Sequence, residues 1–142
     1  MIGIDTNVLV RYIAQDDPVQ SKRATQLVEQ VCSAATPGYI SLVVLVELVW
    51  VSETCYDASR SDITQIVRRL LSIRQLVVQD TEVVWKALRQ FECSGADFAD
   101  SLVEQLARSA SVVDHDTPSA ASCANTARIS ASVNPHRSLN SG

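Results

Sequence analysis

Four acidic side chains occupy positions in this sequence where a carboxylate needs a chemical reason. Asp5 ends the short apolar run that opens the chain, and Glu47 lies inside a longer run made otherwise of Leu, Val and Trp. Asp97 and Asp100 are spaced i, i+3 at the start of a helical pattern, which places both on one helical face. Carboxylate oxygens are the ligands that hard cations such as Mg²⁺ prefer. The joint pattern therefore predicts a metal site.

The elements that would position these acids alternate between strand and helix. An apolar strand precedes Asp5, and Ser41 is a predicted helix N-cap. The apolar run after Ser41 is compatible with a strand or a helix, and its length favours a helix. Such alternation is typical of an α/β fold with a central parallel sheet flanked by helices, in which ligands bind at the carboxyl ends of the strands. Further helices are predicted over about 18–32, 59–73, 81–93 and 99–110, and strands over 39–41 and 76–78.

Each acid also has a purely structural explanation. Aspartate is a common N-cap, so Asp5 and Asp97 can simply start helices, and Asp100 would then favour the helix dipole. Glu47 is expected among apolar neighbours, where an ionised carboxylate costs free energy unless it is paired or bound to metal. A buried salt bridge is the alternative at that position. These explanations account for each acid singly, but not for all four standing where strand ends and helix starts would meet.

Length and composition indicate one ordinary globular domain. The chain has 142 residues, of which 46% are hydrophobic, and a formal net charge of −4. Proteins that bind nucleic acids usually have a basic surface. An enzyme that holds metal ions can nevertheless approach phosphates through the metal, so the acidic balance does not exclude a nucleic-acid substrate.

No membrane segment, secretion signal or cysteine framework is predicted. The longest apolar stretch is about half of what a bilayer requires, and Glu47 interrupts it. The strand-like start leaves no basic region or separate apolar segment for a signal peptide, so we expect a cytoplasmic protein. No C-x-x-C pair occurs, so reduced structural thiols are expected rather than a zinc site or a disulfide framework. The four cysteines are Cys32, Cys55, Cys93 and Cys123.

The composition changes from Ser109 onward, where Ser and Ala dominate and few residues could contribute to a core. We therefore predict a core over 1–110 and a divergent tail of the same domain over 111–142, either disordered or produced by a shifted reading frame. A short apolar pair precedes Asp114 and Asp116 and is compatible with a fourth strand. Either aspartate could then reach the ligand crevice, and an exposed turn is the alternative.

Three motifs resemble those of PIN-domain ribonucleases, and most closely those of the VapC-type toxins of bacterial toxin–antitoxin pairs. They are the opening IDTNVLVR, the VELVWV run around Glu47, and GADFADSLVEQLA from Gly95 to Ala107. They span Met1 to about Ala110 in the order and at roughly the distances of that family. The resemblance implies a PIN-like three-layer fold with a central parallel sheet flanked by helices.

The resemblance also implies a set of functional residues. Asp5, Glu47 and Asp100 would bind Mg²⁺ or Mn²⁺, with Asp97 supporting them as a ligand or through water. In the family a further aspartate follows the fourth strand, usually after a threonine and an aromatic residue. This chain lacks that motif, and Asp116, with Asp114 as the second choice, is the nearby substitute. The positions that resemble the hydroxyl and amide bracing the first aspartate are Thr6 and Asn7.

The function that follows is a Mg²⁺-dependent endoribonuclease, the toxin of a type II toxin–antitoxin system, in which metal-activated water cleaves RNA. The resemblance implies a cognate antitoxin and a homodimer, and exposed arginines such as Arg11, Arg60 and Arg68 could contact the RNA or be simple solvated charges. An alternative is a catalytically weak PIN-like module that mainly binds the antitoxin. A third is a phosphohydrolase of another α/β family, which the lack of a D-x-D signature at the first strand disfavours.

Overall fold

A computed structural model of the chain describes residues 1–111, which belong to two compact units, one covering Met1–Glu82 and the other beginning at Val83. The predicted alternation of strands and helices is confirmed. The first unit contains β1 (Ile2–Gly3), α1 (Thr6–Ala14), α2 (Pro18–Gln26), a π-helical turn (Leu27–Val31), β2 (Gly38–Ile40), α3 (Leu42–Cys55), α4 (Arg60–Ser72) and β3 (Leu76–Val78); α5 (Thr81–Cys93) starts at the boundary, and α6 (Phe98–Ala110) lies in the second unit.

The three strands form a parallel sheet in the order β1-β2-β3, so the predicted α/β fold with a parallel sheet and flanking helices is confirmed. Gly38 pairs with Ile2 on one side and with Leu76 on the other. A Cβ atom at Gly38 would lie 2.9 Å from side-chain atoms of both Ile4 and Leu76. A side chain at position 38 would therefore collide with the Ile4 and Leu76 side chains, and glycine leaves them room.

Local capping explains where the helices of the first unit begin. The Ser41 hydroxyl accepts a hydrogen bond from the Val44 amide, so the N-cap predicted for α3 is confirmed, and the ambiguous run is a helix. At α4, Ser59 and Asp62 form a reciprocal capping box, in which each side chain accepts a bond from the other's backbone amide. These caps satisfy backbone amides in the first turns of α3 and α4 and so favour helix starts at these residues.

Apolar side chains at helical spacing build the core of each unit. In the first unit, the fully buried residues include Leu9 of α1, Leu45 and Leu48 of α3, and Val67 of α4. The second unit contains an edge-to-face aromatic pair whose ring centroids are 6.0 Å apart. Its members are Phe91 and Phe98, both almost completely buried.

The cysteine expectation is only partly correct. Cys32 is a buried free thiol and Cys55 an exposed one, whereas Cys93 is disulfide-bonded, so the prediction of a reduced thiol is wrong at that residue. No helix within residues 1–111 combines the length and the apolar character needed to cross a lipid bilayer.

Candidate active site

The first acid, Asp5, stands at the N-cap of α1, but its carboxylate makes no capping hydrogen bond. The N-cap side chains of α2, α3, α4 and α6 behave differently, because each accepts a hydrogen bond from a backbone amide of its own helix; they are Asp17, Ser41, Ser59 and Asp97. Asp5 is exposed, and its one side-chain partner within residues 1–111 is the Asn7 amide, at 3.4 Å from Oδ2. The capping explanation therefore does not account for this carboxylate.

The neighbouring Thr6 joins the first turn of α1 to Glu47 of α3. Its side chain is buried, with 4% of its surface exposed, and its hydroxyl donates a hydrogen bond of 2.9 Å to Glu47 Oε2. The sequence resemblance implies that both Thr6 and Asn7 brace the first aspartate. In the structure the amide of Asn7 contacts Asp5, whereas the hydroxyl of Thr6 orients Glu47.

Glu47 is exposed, so the expectation of a desolvated carboxylate surrounded by aliphatic side chains is wrong. The buried face of α3 carries Leu45, Leu48 and Val49, and the helical repeat puts Glu47 on the opposite side. The alternative of a buried salt bridge is wrong as well, because Glu47 has no ion pair within residues 1–111. Its hydrogen bond with Thr6 and its exposed position suit a ligand role better than a structural one.

In the second unit, Asp97 is the N-cap of α6, and its Oδ1 accepts a hydrogen bond of 2.8 Å from the backbone amide of Asp100. The capping interpretation of Asp97 is thus confirmed. Desolvation of the Asp100 carboxyl, followed by the negative charge of Asp97, raises the pKa of Asp100 above its ordinary value. A cation near Asp100 would offset both effects.

The chemistry of these acids fits a hard divalent cation. All the candidate side chains offer carboxylate oxygens, which Mg²⁺ and Mn²⁺ prefer over nitrogen and sulfur. Taken separately, residues 1–82 and residues 83–111 each hold no group of three His, Cys, Asp or Glu side chains placed to hold a metal ion. Asp114, Asp116 and the predicted fourth strand lie outside the described residues.

The arginines proposed as RNA contacts differ in their surroundings. Arg11 forms an ion pair with Asp16 at 3.0 Å, and the Tyr56 hydroxyl donates a bond of 2.7 Å to the same carboxylate. Both bonds lower the pKa of Asp16, and the bond from Tyr56 has the larger effect. Arg11 thus helps to tie the end of α1 to the residue after α3, while Arg60 and Arg68 are exposed on α4.

The first strand of the parallel sheet is followed by an exposed aspartate that does not cap its helix. This arrangement is expected of an acidic active site at the carboxyl ends of the strands. Residues 2–122 match the PIN domain family. The chain therefore belongs to the PIN domain family, whose members are typically nucleases, and this membership indicates nuclease activity in general. No curated protein and no solved structure matches the chain significantly. The division into a core over 1–110 and a tail over 111–142 stays a prediction.

Proposed function

We propose that this protein is a Mg²⁺-dependent endoribonuclease of the VapC type, the toxin of a toxin–antitoxin pair. The observation that supports the proposal best is Asp5, a carboxylate at the carboxyl end of β1 that does not cap the helix it starts. Glu47, held by the buried Thr6 hydroxyl, supports it further. The three sequence motifs that resemble VapC-type toxins are the basis for the toxin assignment.

In this proposal Asp5, Glu47 and Asp100 are the ligands of Mg²⁺ or Mn²⁺, with Asp97 supporting them as a ligand or through water. Asp116, with Asp114 as the second choice, completes the acidic set. A bound divalent ion would activate a water molecule and stabilise the charge that develops on the scissile phosphate and the leaving oxygen.

The protein's own groups orient the ligands and leave them accessible. The Thr6 hydroxyl fixes one oxygen of Glu47, and the Asn7 amide restrains one oxygen of Asp5. Since both carboxylates are exposed, a phosphodiester can approach them from solvent without displacing core side chains. Orientation by a hydrogen-bonded neighbour is the usual way in which proteins fix metal ligands.

The decisive experiment is cleavage of a labelled single-stranded RNA by the purified protein with Mg²⁺, with Mn²⁺ and with EDTA. We expect cleavage with either metal and none with the chelator. The matched substrate is a small phosphate ester, which a general phosphohydrolase would hydrolyse and an endoribonuclease would not. Binding of an antitoxin without any metal-dependent cleavage would replace the proposal by the binding-module alternative.

Partners and location are part of the same proposal. We propose a homodimer in the cytoplasm that binds RNA and a cognate antitoxin protein. Sedimentation of the purified chain tests the dimer, because a VapC-type toxin would sediment at twice the mass of one chain. A single-chain mass at all concentrations would contradict the proposed homodimer but not the proposed metal ligands.

We expect Thr6→Val to lower the affinity for Mg²⁺, so that cleavage needs a higher Mg²⁺ concentration, without unfolding the protein. Valine keeps the shape of threonine but removes the donor to Glu47, and loss of such an orienting partner typically costs about 10- to 100-fold in metal affinity or activity. The measurement is the Mg²⁺ concentration that gives half-maximal cleavage. Thr6→Ser is the matched control, because it retains the hydroxyl and should retain the metal response. Equal half-saturation in both variants would show that the Thr6 bond is not needed.

A further inference from the structure

A large aromatic side chain is exposed one helical turn beyond Glu47. Trp50 of α3 has 61% of its surface exposed, although tryptophan is usually among the most buried residues. Within residues 1–111 the Trp50 indole makes no hydrogen bond, ring contact or cation–π contact. Packing in the described part of the chain therefore does not explain its position.

The exposed face of α3 places Trp50 close to the proposed metal ligand. Glu47 and Trp50 are spaced i, i+3, which brings the Cβ atoms on a helix to within about 5–6 Å. An aromatic face at that distance is within reach of a nucleotide whose phosphate would be held by a cation bound at the Glu47 carboxylate.

The side chains of α3 limit the kinds of contact that this helix can make with a nucleic acid. Leu42–Cys55 contains no Lys or Arg, so the helix cannot attract the phosphate backbone through its own side chains. Bases, unlike phosphates, bind to aromatic faces, and stacking is worth about 1–3 kcal/mol per base in single-strand binding proteins. Trp50 is the one aromatic side chain that α3 carries.

We propose that Trp50 stacks on an unpaired RNA base beside the scissile phosphate. The inference rests on the proposed ribonuclease function and adds a residue that contacts the RNA base. A base paired within a duplex keeps its faces covered by its neighbours, so Trp50 can stack fully only where the base is unstacked.

The alternative occupant is a protein surface, and Glu47 disfavours it. Val43, which is 76% exposed, lies one turn before Glu47, and Trp50 lies one turn after it. A protein that covered both apolar side chains would also cover the carboxylate between them, and burying an unpaired carboxylate is costly. A base stacked on Trp50 alone leaves Glu47 open to metal and phosphate.

Cleavage kinetics test the proposal. Trp50→Ala should raise the KM for a single-stranded RNA about tenfold, the effect of losing one stacked base, and change kcat much less. Trp50→Phe should restore most of the lost affinity, because phenylalanine keeps an aromatic face. Val43→Ala is the matched control on the same helix face and should leave KM unchanged. An unchanged KM in Trp50→Ala, with the unaltered protein cleaving RNA, would overturn this inference alone; absence of cleavage by the unaltered protein would overturn the proposed function.

Fluorescence provides a second, independent measurement. The chain has two tryptophans, so Trp85→Phe leaves Trp50 as the single emitter. We expect single-stranded RNA to quench its emission strongly and duplex RNA of the same sequence to quench it weakly. Emission that does not respond to RNA would overturn the proposal. Emission that responds only to protein concentration or to an added antitoxin would overturn it as well and would show that a protein covers Trp50.

Discussion

Asp5→Asn is expected to reduce Mg²⁺-dependent RNA cleavage by roughly a hundredfold or more, the scale seen when one group that stabilises transition-state charge is removed. The melting temperature should stay unchanged, because the Asp5 carboxylate makes no capping bond whose loss would weaken α1. Asparagine preserves the shape of the side chain and removes its charge. Cleavage rate and thermal unfolding, measured on the same preparation, check both halves of the expectation.

Asp17→Ala is the matched control, since Asp17 is also an N-cap aspartate. Its carboxylate accepts bonds from the Val19 and Gln20 amides at 3.0 and 2.9 Å, so the alanine variant should lose about 0.5–2 kcal/mol of stability. Its cleavage rate at a temperature where both proteins are folded should equal that of the unaltered chain. If Asp5→Asn instead melted early and still cleaved RNA, Asp5 would be an ordinary cap.

Asp100→Asn should also abolish most cleavage, and it should make the metal-free protein relatively more stable as pH rises. The raised pKa means that folded Asp100 holds its proton more tightly than the unfolded chain does. Its ionisation therefore costs stability, and this cost is absent below the unfolded pKa and complete above the folded one. The free energy of unfolding, measured in EDTA at acidic and at neutral pH, should be higher for the variant relative to the unaltered protein at neutral pH than at acidic pH.

Asp62→Asn, at a comparable position in the first turn of α4, should change the pH dependence of stability in the opposite direction. Hydrogen bonds from the backbone and the side chain of Ser59 lower the pKa of Asp62, so this carboxylate contributes stability above its unfolded pKa and loses it as pH falls through the folded pKa. The Asn variant should therefore lose stability relative to the unaltered protein at neutral pH. A shift of the same sign in both variants would contradict the raised pKa assigned to Asp100.

Elements with local signals were predictable from the sequence. The strand Leu76–Val78 and the helix Thr81–Cys93 have the predicted bounds, and Ser41 is the predicted cap. In these segments the apolar spacing and the turn residues already determine the structure. The unusual positions of Asp5 and Glu47 were predictable too, because a charged residue within an apolar run stands out in the sequence.

The surroundings of those acids were not predictable. Almost every position early in α3 is apolar, so the sequence could not show which face is buried, and Glu47 was expected to be desolvated when it is exposed. The partner of Thr6 is 41 positions away along the chain, and only the packing of α1 on α3 brings the two side chains together. The same lack of a local signal applies to the disulfide at Cys93.

The missing side chain at Gly38 will matter to anyone who selects inactive mutants from a random library. An alanine there would push against Ile4, the residue immediately before Asp5, from a distance of 2.9 Å. Movement of Ile4 would then shift the neighbouring Asp5 carboxylate, the proposed metal ligand, although the added methyl group lies on another strand. Such a library should return position 38 together with the acids, and a geneticist without the structure would count a residue with no functional group as part of the active centre.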